Sequence, residues 1–136
     1  MPTFQWRENL RLGHPEVDRQ HLEIIARVNL FQGALDAGEG QDRLVALFDD
    51  LDQYARSHFQ LEERLMEQHG YPGLNAHRAE HARFMARVAG FRSRLLQREA
   101  GLPRAVLRYL EEWLVQHLAE VDTAMVQFLR AARRAK

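Results

Sequence analysis

The chain of 136 residues has no cysteine, which excludes disulfide bonds, zinc–thiolate sites and thiol catalysis. It has no apolar run near the roughly 18 residues of a membrane span, and its first residues, MPTFQWREN, lack the basic and then apolar pattern of a signal peptide. It has no excess of either charge, because 19 basic residues balance 19 acidic ones, so neither nucleic acid nor a membrane is expected as a partner. We therefore expect a cytoplasmic protein.

Four stretches with helical periodicity make up most of the chain. They are separated by three breaks that contain glycine: AGEG, HGYPG and AGLP. Short connections between long helices are typical of an up-down-up-down antiparallel four-helix bundle, and no β alternation with turn signals occurs, so the predicted fold class is all-α. One domain is expected over residues 1–136, with helices at about 18–37, 41–68, 73–99 and 103–133.

Residues 1–17 are predicted to form a non-helical arm before the first helix. Asp18 is the predicted N-cap of that helix, and its carboxylate could also accept a hydrogen bond from His21. Four large apolar side chains of the arm are expected to pack against the bundle: Phe4, Trp6, Leu10 and Leu12.

Polar residues interrupt the apolar stripe of the second and third predicted helices. His58 is followed four residues later by Glu62, and His77 four residues later by His81. Positions four apart lie nearly above one another on a helix, about 6 Å apart along its axis. Each of these pairs can therefore direct two polar groups at one point inside the bundle.

His21 and His117 continue the stripes of the first and fourth helices in the same way. A single histidine on such a stripe is more often a core residue bonded to a backbone carbonyl than a metal ligand. Together, however, five imidazoles and a carboxylate would each need a partner, because an unsatisfied buried polar group costs about 1–3 kcal/mol. A shared metal site satisfies all of them, and this ligand set suits iron, zinc, copper or nickel.

So many ligands exceed what one metal ion can use, whereas two ions joined by bridging carboxylates can use them all. Glu62 is a candidate bridge. For a second bridge the fourth helix offers Glu120, three residues after His117, and Asp122, five residues after it. Ideal helical spacing mildly favours Glu120, because five residues give an offset of about 140°. The residues themselves leave this choice open.

The other polar residues are weaker candidates for the site. His14 lies in the arm and His69 in the turn between the second and third helices, so both are predicted to be exposed or locally bonded. Four residues at helical spacing are most simply core, and beside a metal site they would also line a pocket for a small ligand: Phe59, Tyr109, Trp113 and Leu114.

The order of these motifs resembles the hemerythrin family, and specifically its single-domain bacteriohemerythrins. The matching segments are LGHPEVDRQH (12–21), HFQLE (58–62), HRAEH (77–81) and HLAEVD (117–122), and the resemblance spans essentially the whole chain. It implies a non-haem centre of two iron ions joined by an oxo or hydroxo bridge. The implied ligands are His77, His81 and His117 on one iron, His21 and His58 on the other, and Glu62 and Asp122 as bridges.

This ligand set implies an open coordination position on the iron that has only two histidines, where a small ligand binds. The expected function is reversible dioxygen binding, for storage, delivery or buffering, without enzymatic activity. Di-iron oxygenases use mostly carboxylates, whereas five neutral imidazoles favour ferrous iron and discourage O–O cleavage. The alternatives are oxygen or redox sensing through a separate partner, peroxide or nitric oxide handling at the same site, and a bundle with structural zinc or no metal. No protein partner is assigned.

Overall fold

The computed structural model describes residues 13–134, apart from the side chains at positions 118–120, 133 and 134. Its elements are α1 (Pro15–Asp36), α2 (Gln41–Gln68), α3 (Leu74–Leu96), α4 (Leu102–Gln116), a π-helical segment (His117–Asp122) and α5 (Thr123–Arg134). The last three follow one another without a break, so they act as one long fourth helix.

The helices close into a bundle because each packs against its neighbours in the chain and α4 also packs against α1. Short connections reverse the chain direction between consecutive helices. The predicted all-α bundle is therefore confirmed. Within residues 13–134 there is no strand, and no helix is long and apolar enough to cross a membrane.

The first helix begins earlier than predicted, at Pro15, so Val17 and the two residues before it do not belong to an arm. Proline suits the first helical position, since its missing N–H would have no helical partner there. His14 is the N-cap, and its Nδ1 accepts a hydrogen bond from the Val17 N–H at 3.3 Å. The prediction of Asp18 as the cap was wrong: its carboxylate lies inside the first turn and accepts from the Gly13 N–H at 3.0 Å.

Residues 1–12, which include Phe4, Trp6, Leu10 and Leu12, lie outside the described part of the chain. The packing predicted for these four side chains therefore stays a prediction.

The connection between α2 and α3 is a tight turn, residues 69–73, that brings their polar pairs together. Gly70 has a φ of 66°, which glycine adopts at no steric cost. The Tyr71 N–H then donates to the Met66 carbonyl at 2.9 Å, which closes the end of α2. Because the turn is short, His77 and His81 come back alongside His58 and Glu62.

Buried apolar residues form two clusters, one toward each end of the bundle. The larger contains Ile24, Phe59 and Leu114, and the smaller contains Val17 and Met125 among others. On α1, α2 and the fourth helix the predicted polar site residues fall between members of the two clusters, as His21 does between Val17 and Ile24. On α3 they fall between Leu74, which packs against the smaller cluster, and Phe84 of the larger. The bundle therefore contains a polar layer enclosed by apolar packing on both sides.

Candidate metal centre

The polar layer contains all seven residues that the sequence singled out as metal ligands. Each is at most 2% exposed, which leaves its polar atoms no access to bulk water. The seven are His21 from α1, His58 and Glu62 from α2, His77 and His81 from α3, and His117 and Asp122 from the fourth helix.

These residues form two groups, in each of which the potential ligand atoms all lie within 4.8 Å of one another. The first group consists of Glu62, His77, His81, His117 and Asp122. The second consists of His21, His58, Glu62 and Asp122. Both carboxylates belong to both groups, so the arrangement offers two adjacent metal positions that share them.

The two oxygens of Glu62 face different groups. Oε1 lies 3.1 Å from His81 Nε2 and 3.5 Å from His77 Nε2. Oε2 lies 3.1 Å from His58 Nε2 and 3.5 Å from His21 Nε2. A carboxylate held in this way can give one oxygen to each of two metal ions.

Asp122 divides its oxygens in the same way. Oδ1 lies 2.9 Å from His117 Nε2 and 3.0 Å from His77 Nε2, whereas Oδ2 lies 3.1 Å from His21 Nε2. The two carboxylates therefore run side by side between the three histidines of one group and the two of the other.

The donor atoms suit a metal site because most of them form no hydrogen bond. Both oxygens of Glu62 and of Asp122, and the Nε2 atoms of three of the histidines (His21, His58 and His77), have no hydrogen-bond partner within the described residues, despite their close approach. His81 Nε2 and His117 Nε2 face each other at 3.3 Å. Left alone, each unsatisfied buried atom costs about 1–3 kcal/mol, and two metal ions would satisfy all of them together.

Three further polar residues hold the imidazole rings from outside the layer. His58 Nδ1 lies 2.6 Å from Gln20 Oε1, and His81 Nδ1 lies 3.0 Å from Glu63 Oε2. Glu80 Oε1 lies 3.5 Å from the Nδ1 of His117. A hydrogen bond at Nδ1 fixes the ring so that Nε2 points at the metal position.

Sequence reasoning missed Gln20, Glu63 and Glu80. The available signal was weak: each lies directly beside a predicted ligand in the chain, at positions 21, 62 and 81. Each supports a histidine on a different helix, however, and spacing along one helix does not show which residues meet across the bundle.

The π-helical segment explains how Asp122 reaches the layer. A π-helix bonds residues five apart, so Asp122 lies about one turn after His117 and on the same face. The preference of ideal spacing for Glu120 assumed a regular α-helix, and that assumption was wrong here. The side chain of Glu120 is not among those described.

The carboxylates shift the protonation of the neighbouring imidazoles. Burial lowers the pKa of His21, but the adjoining carboxylates of Asp122 and Glu62 together outweigh it and raise this pKa to about 9. The same balance raises the pKa of His77 to about 9. Burial raises the pKa of Glu62, but the imidazoles that surround its carboxylate outweigh this and hold the pKa well below its usual range. Without a metal, protons take the place of a cation in this layer.

An apolar cavity of about 10 Å³ lies on one side of the polar layer, with room for about one water-sized molecule. Its lining includes Ile24, three residues after His21, and Ala55, three residues before His58. Three of the four predicted pocket residues line it: Phe59, Trp113 and Leu114. Tyr109 does not; it is half-buried and lies in a separate groove on the outside of the bundle.

The two remaining histidines of the described chain lie outside both groups. His14 caps α1, and His69 Nδ1 lies 2.8 Å from the Leu65 carbonyl oxygen. Both are locally bonded, so neither competes with the layer for a metal.

The family model described as "Hemerythrin HHE cation binding domain" matches residues 12–129. A bacteriohemerythrin of Pseudomonas paraeruginosa is 32% identical over 132 residues, which cover 96% of this chain and 84% of that protein. A myohemerythrin of Sipunculus nudus is 29% identical over 119 residues, which cover 88% of each chain. A crystal structure of a hemerythrin mutant matches with a TM-score of 0.86 at 26% identity, over 95% of this chain and 98% of that one.

Proposed function

The chain belongs to the hemerythrin family, and on that premise we propose that it binds dioxygen reversibly at a centre of two iron ions. The family is one of di-iron sites with an oxygen-binding or iron-binding role, and the buried cluster of imidazoles and carboxylates could hold such a centre. Storage, delivery or buffering of dioxygen in the cytoplasm is the specific role that we propose.

In this proposal the histidines divide unequally between the two ions. His77, His81 and His117 hold one iron, and His21 and His58 hold the other. Glu62 and Asp122 bridge both. The observation that carries the proposal is the division of the carboxylate oxygens, since each carboxylate turns one oxygen to each group of imidazoles.

When bound, the two irons supply the electrons and the coordination position that hold dioxygen. The chain supplies the surroundings. The metal position of His21 and His58 has two histidine ligands, whereas the neighbouring position has three. It therefore has one protein ligand fewer. The apolar cavity next to the layer admits a small uncharged molecule, and it is lined by apolar and aromatic side chains such as Ile24, Ala55 and Phe59.

The same surroundings favour binding over turnover. The cavity of about 10 Å³ has no space for an organic substrate beside dioxygen. The layer is closed to bulk water, which limits the supply of protons that O–O cleavage consumes. The relatives that the chain matches are oxygen-binding proteins rather than enzymes.

The test is a metal analysis after anaerobic reconstitution with ferrous iron. We expect two iron ions per chain and, on exposure to dioxygen, uptake of one dioxygen molecule for each pair of irons. A protein that holds less than one iron per chain, or that takes up zinc in preference and no iron, would contradict the proposal. Rapid consumption of peroxide or nitric oxide by the reconstituted protein would favour an enzyme instead.

A further inference from the structure

A groove of about 550 Å³ lies on the outside of the bundle between α3 and α4. Its volume is within the range of sites for small molecules, roughly 300–1,000 Å³. Arg83 and Arg87, one helical turn apart on α3, lie along it, and Tyr109 and Trp113 of α4 contribute aromatic surface. The function proposed above gives no role to Arg83, Arg87 or Tyr109.

A stack of aromatic rings connects the groove with the metal layer. Tyr109 stacks on Phe84 with centroids 6.1 Å apart, and Phe84 stacks on Trp113 at 4.1 Å. Trp113 in turn lies parallel to the His117 imidazole, with centroids 4.3 Å apart and an angle of 14° between the planes. The stack leads from a half-exposed tryptophan to a candidate iron ligand without a gap.

The charges in the groove favour an anion. Arg83 is exposed and forms no ion pair with any described residue. Arg87 is also exposed, and its guanidinium lies 5.4 Å from the centroid of the Tyr109 ring and 5.3 Å from that of Phe91. Glu80 opposes these charges, but its carboxylate is turned toward His117 Nδ1 at 3.5 Å. A ligand with a flat aromatic ring and a phosphate would match both the rings and the two arginines.

We propose that the groove binds a reduced flavin mononucleotide, free in solution, and that the stack of Trp113 on His117 carries its electrons to the irons. The proposal rests on the proposed function, because iron left in the ferric state cannot bind dioxygen until it is reduced. A flavin hydroquinone gives up two electrons and two protons and becomes oxidised flavin. Two ferric ions take one electron each, and the protons leave to solvent.

Binding is tested without iron. In a Trp6→Phe background Trp113 is the sole tryptophan, so its emission reports oxidised flavin mononucleotide added to the iron-free protein. We expect saturable quenching that weakens about tenfold in Arg83→Gln and in Arg87→Gln, as the loss of a charge-assisted hydrogen bond implies. Arg43→Gln, an exposed arginine outside the groove, serves as the matched control and should bind like the parent.

Riboflavin lacks the phosphate, so it should bind the parent protein more weakly than flavin mononucleotide does. Its affinity for the Arg83→Gln and Arg87→Gln variants should equal its affinity for the parent protein. Absence of saturable binding, or equal binding by the parent and both groove variants, would overturn the proposal.

Electron transfer is tested separately with oxidised, iron-loaded protein mixed anaerobically with reduced flavin mononucleotide. At saturating flavin the first-order rate of iron reduction should fall by more than an order of magnitude in Trp113→Leu and by less in Trp113→Phe, which keeps an aromatic ring. Equal rates in the parent and Trp113→Leu would overturn the route. A protein that binds flavin in the groove but takes up no iron would contradict the proposed function and the route, and not the binding.

Discussion

Glu62 holds a carboxylate with no exposed surface between two groups of imidazoles. A buried charge is costly unless it is neutralised, and removal of one partner from a buried charged group leaves the others unpaired. At this residue the neutralising groups lie on two other helices, α1 and α3, as well as its own. One side chain therefore couples the metal positions to each other and to the packing of the bundle.

Glu62→Gln should abolish the paired site, because an amide keeps the shape of the side chain but can give only one oxygen to a metal. We expect iron content after reconstitution to fall to one ion per chain or fewer, measured by elemental analysis. Glu67→Gln, on the same helix with a side chain that is 72% exposed, is the matched control and should keep the full content. Full iron loading of Glu62→Gln would show that the carboxylate is not a bridge.

Gln20→Ala should weaken the second metal position without touching any proposed ligand. The variant loses the 2.6 Å contact with His58 Nδ1 that fixes the ring. Loss of such a supporting contact lowers metal affinity about 10- to 100-fold. A titration of the iron-free protein with cobalt(II), followed by visible absorption, measures this. Gln60→Ala, exposed on α2, controls for loss of an amide, and equal affinities in both variants would rule out a role for Gln20.

The fourth helix carries the main irregularity of the fold, the π-helical segment from His117 to Asp122. Such segments add one residue to a helical turn and are frequent at functional sites. Here the added residue places Asp122 on the same face of the helix as His117. After it, the apolar residues of α5, such as Met125, still face the core. The element therefore adjusts one ligand without disturbing the packing after it.

Deletion of Ala119 should convert the segment to regular α-helix, with the aspartate four residues after His117 instead of five. We expect a folded bundle with its thermal midpoint kept or raised and with metal binding largely kept, because positions four apart on a regular α-helix also lie on one face. Deletion of Ala86, exposed in α3, is the comparison: it rotates one half of that helix by about 100° against the other and should destabilise the bundle strongly. Circular dichroism on heating and metal titration measure both, and equal losses of stability would contradict this account of the segment.

The sequence was sufficient for the all-α bundle, the family and the five histidines of the polar layer, because all three depend on periodicity and on motif order along the chain. It failed where a residue acts outside a regular pattern. Asp18 was misread as a cap because Pro15 and His14 start the helix one turn earlier. The position of Asp122 could not be derived from a repeat of 3.6 residues. The contact of Gln20 with His58 joins residues 38 apart in the chain, so only the packing of two helices reveals it.

At the scale of the whole molecule the bundle encloses a charged layer between two apolar clusters. The layer contributes to stability through its protonation when no metal is bound. Because the pKa values of His21 and His77 are raised from the ordinary 6.5 to about 9, their contribution is fully present below about pH 6.5 and is lost as the pH rises through about 9. Bound metal needs neutral imidazoles, so it changes this dependence.

The free energy of unfolding of the iron-free protein should therefore fall as the pH rises from about 6.5 to 9, as measured by urea denaturation at several pH values. The affinity of the iron-free protein for a divalent metal should rise over the same range, since protons and metal compete for the same nitrogens. An unfolding free energy that stays constant or increases toward pH 9 would contradict the protonation that the layer implies.

The most direct test of the central claim, reversible oxygenation at a di-iron centre, is one optical experiment on the reconstituted ferrous protein. Its near-ultraviolet and visible spectrum is recorded without oxygen, after oxygen is admitted, and after oxygen is removed again. We expect new absorption bands on admission of oxygen that disappear on its removal and return over repeated cycles. A protein with two irons bound that shows no new bands, or whose bands persist after oxygen is removed, would contradict it.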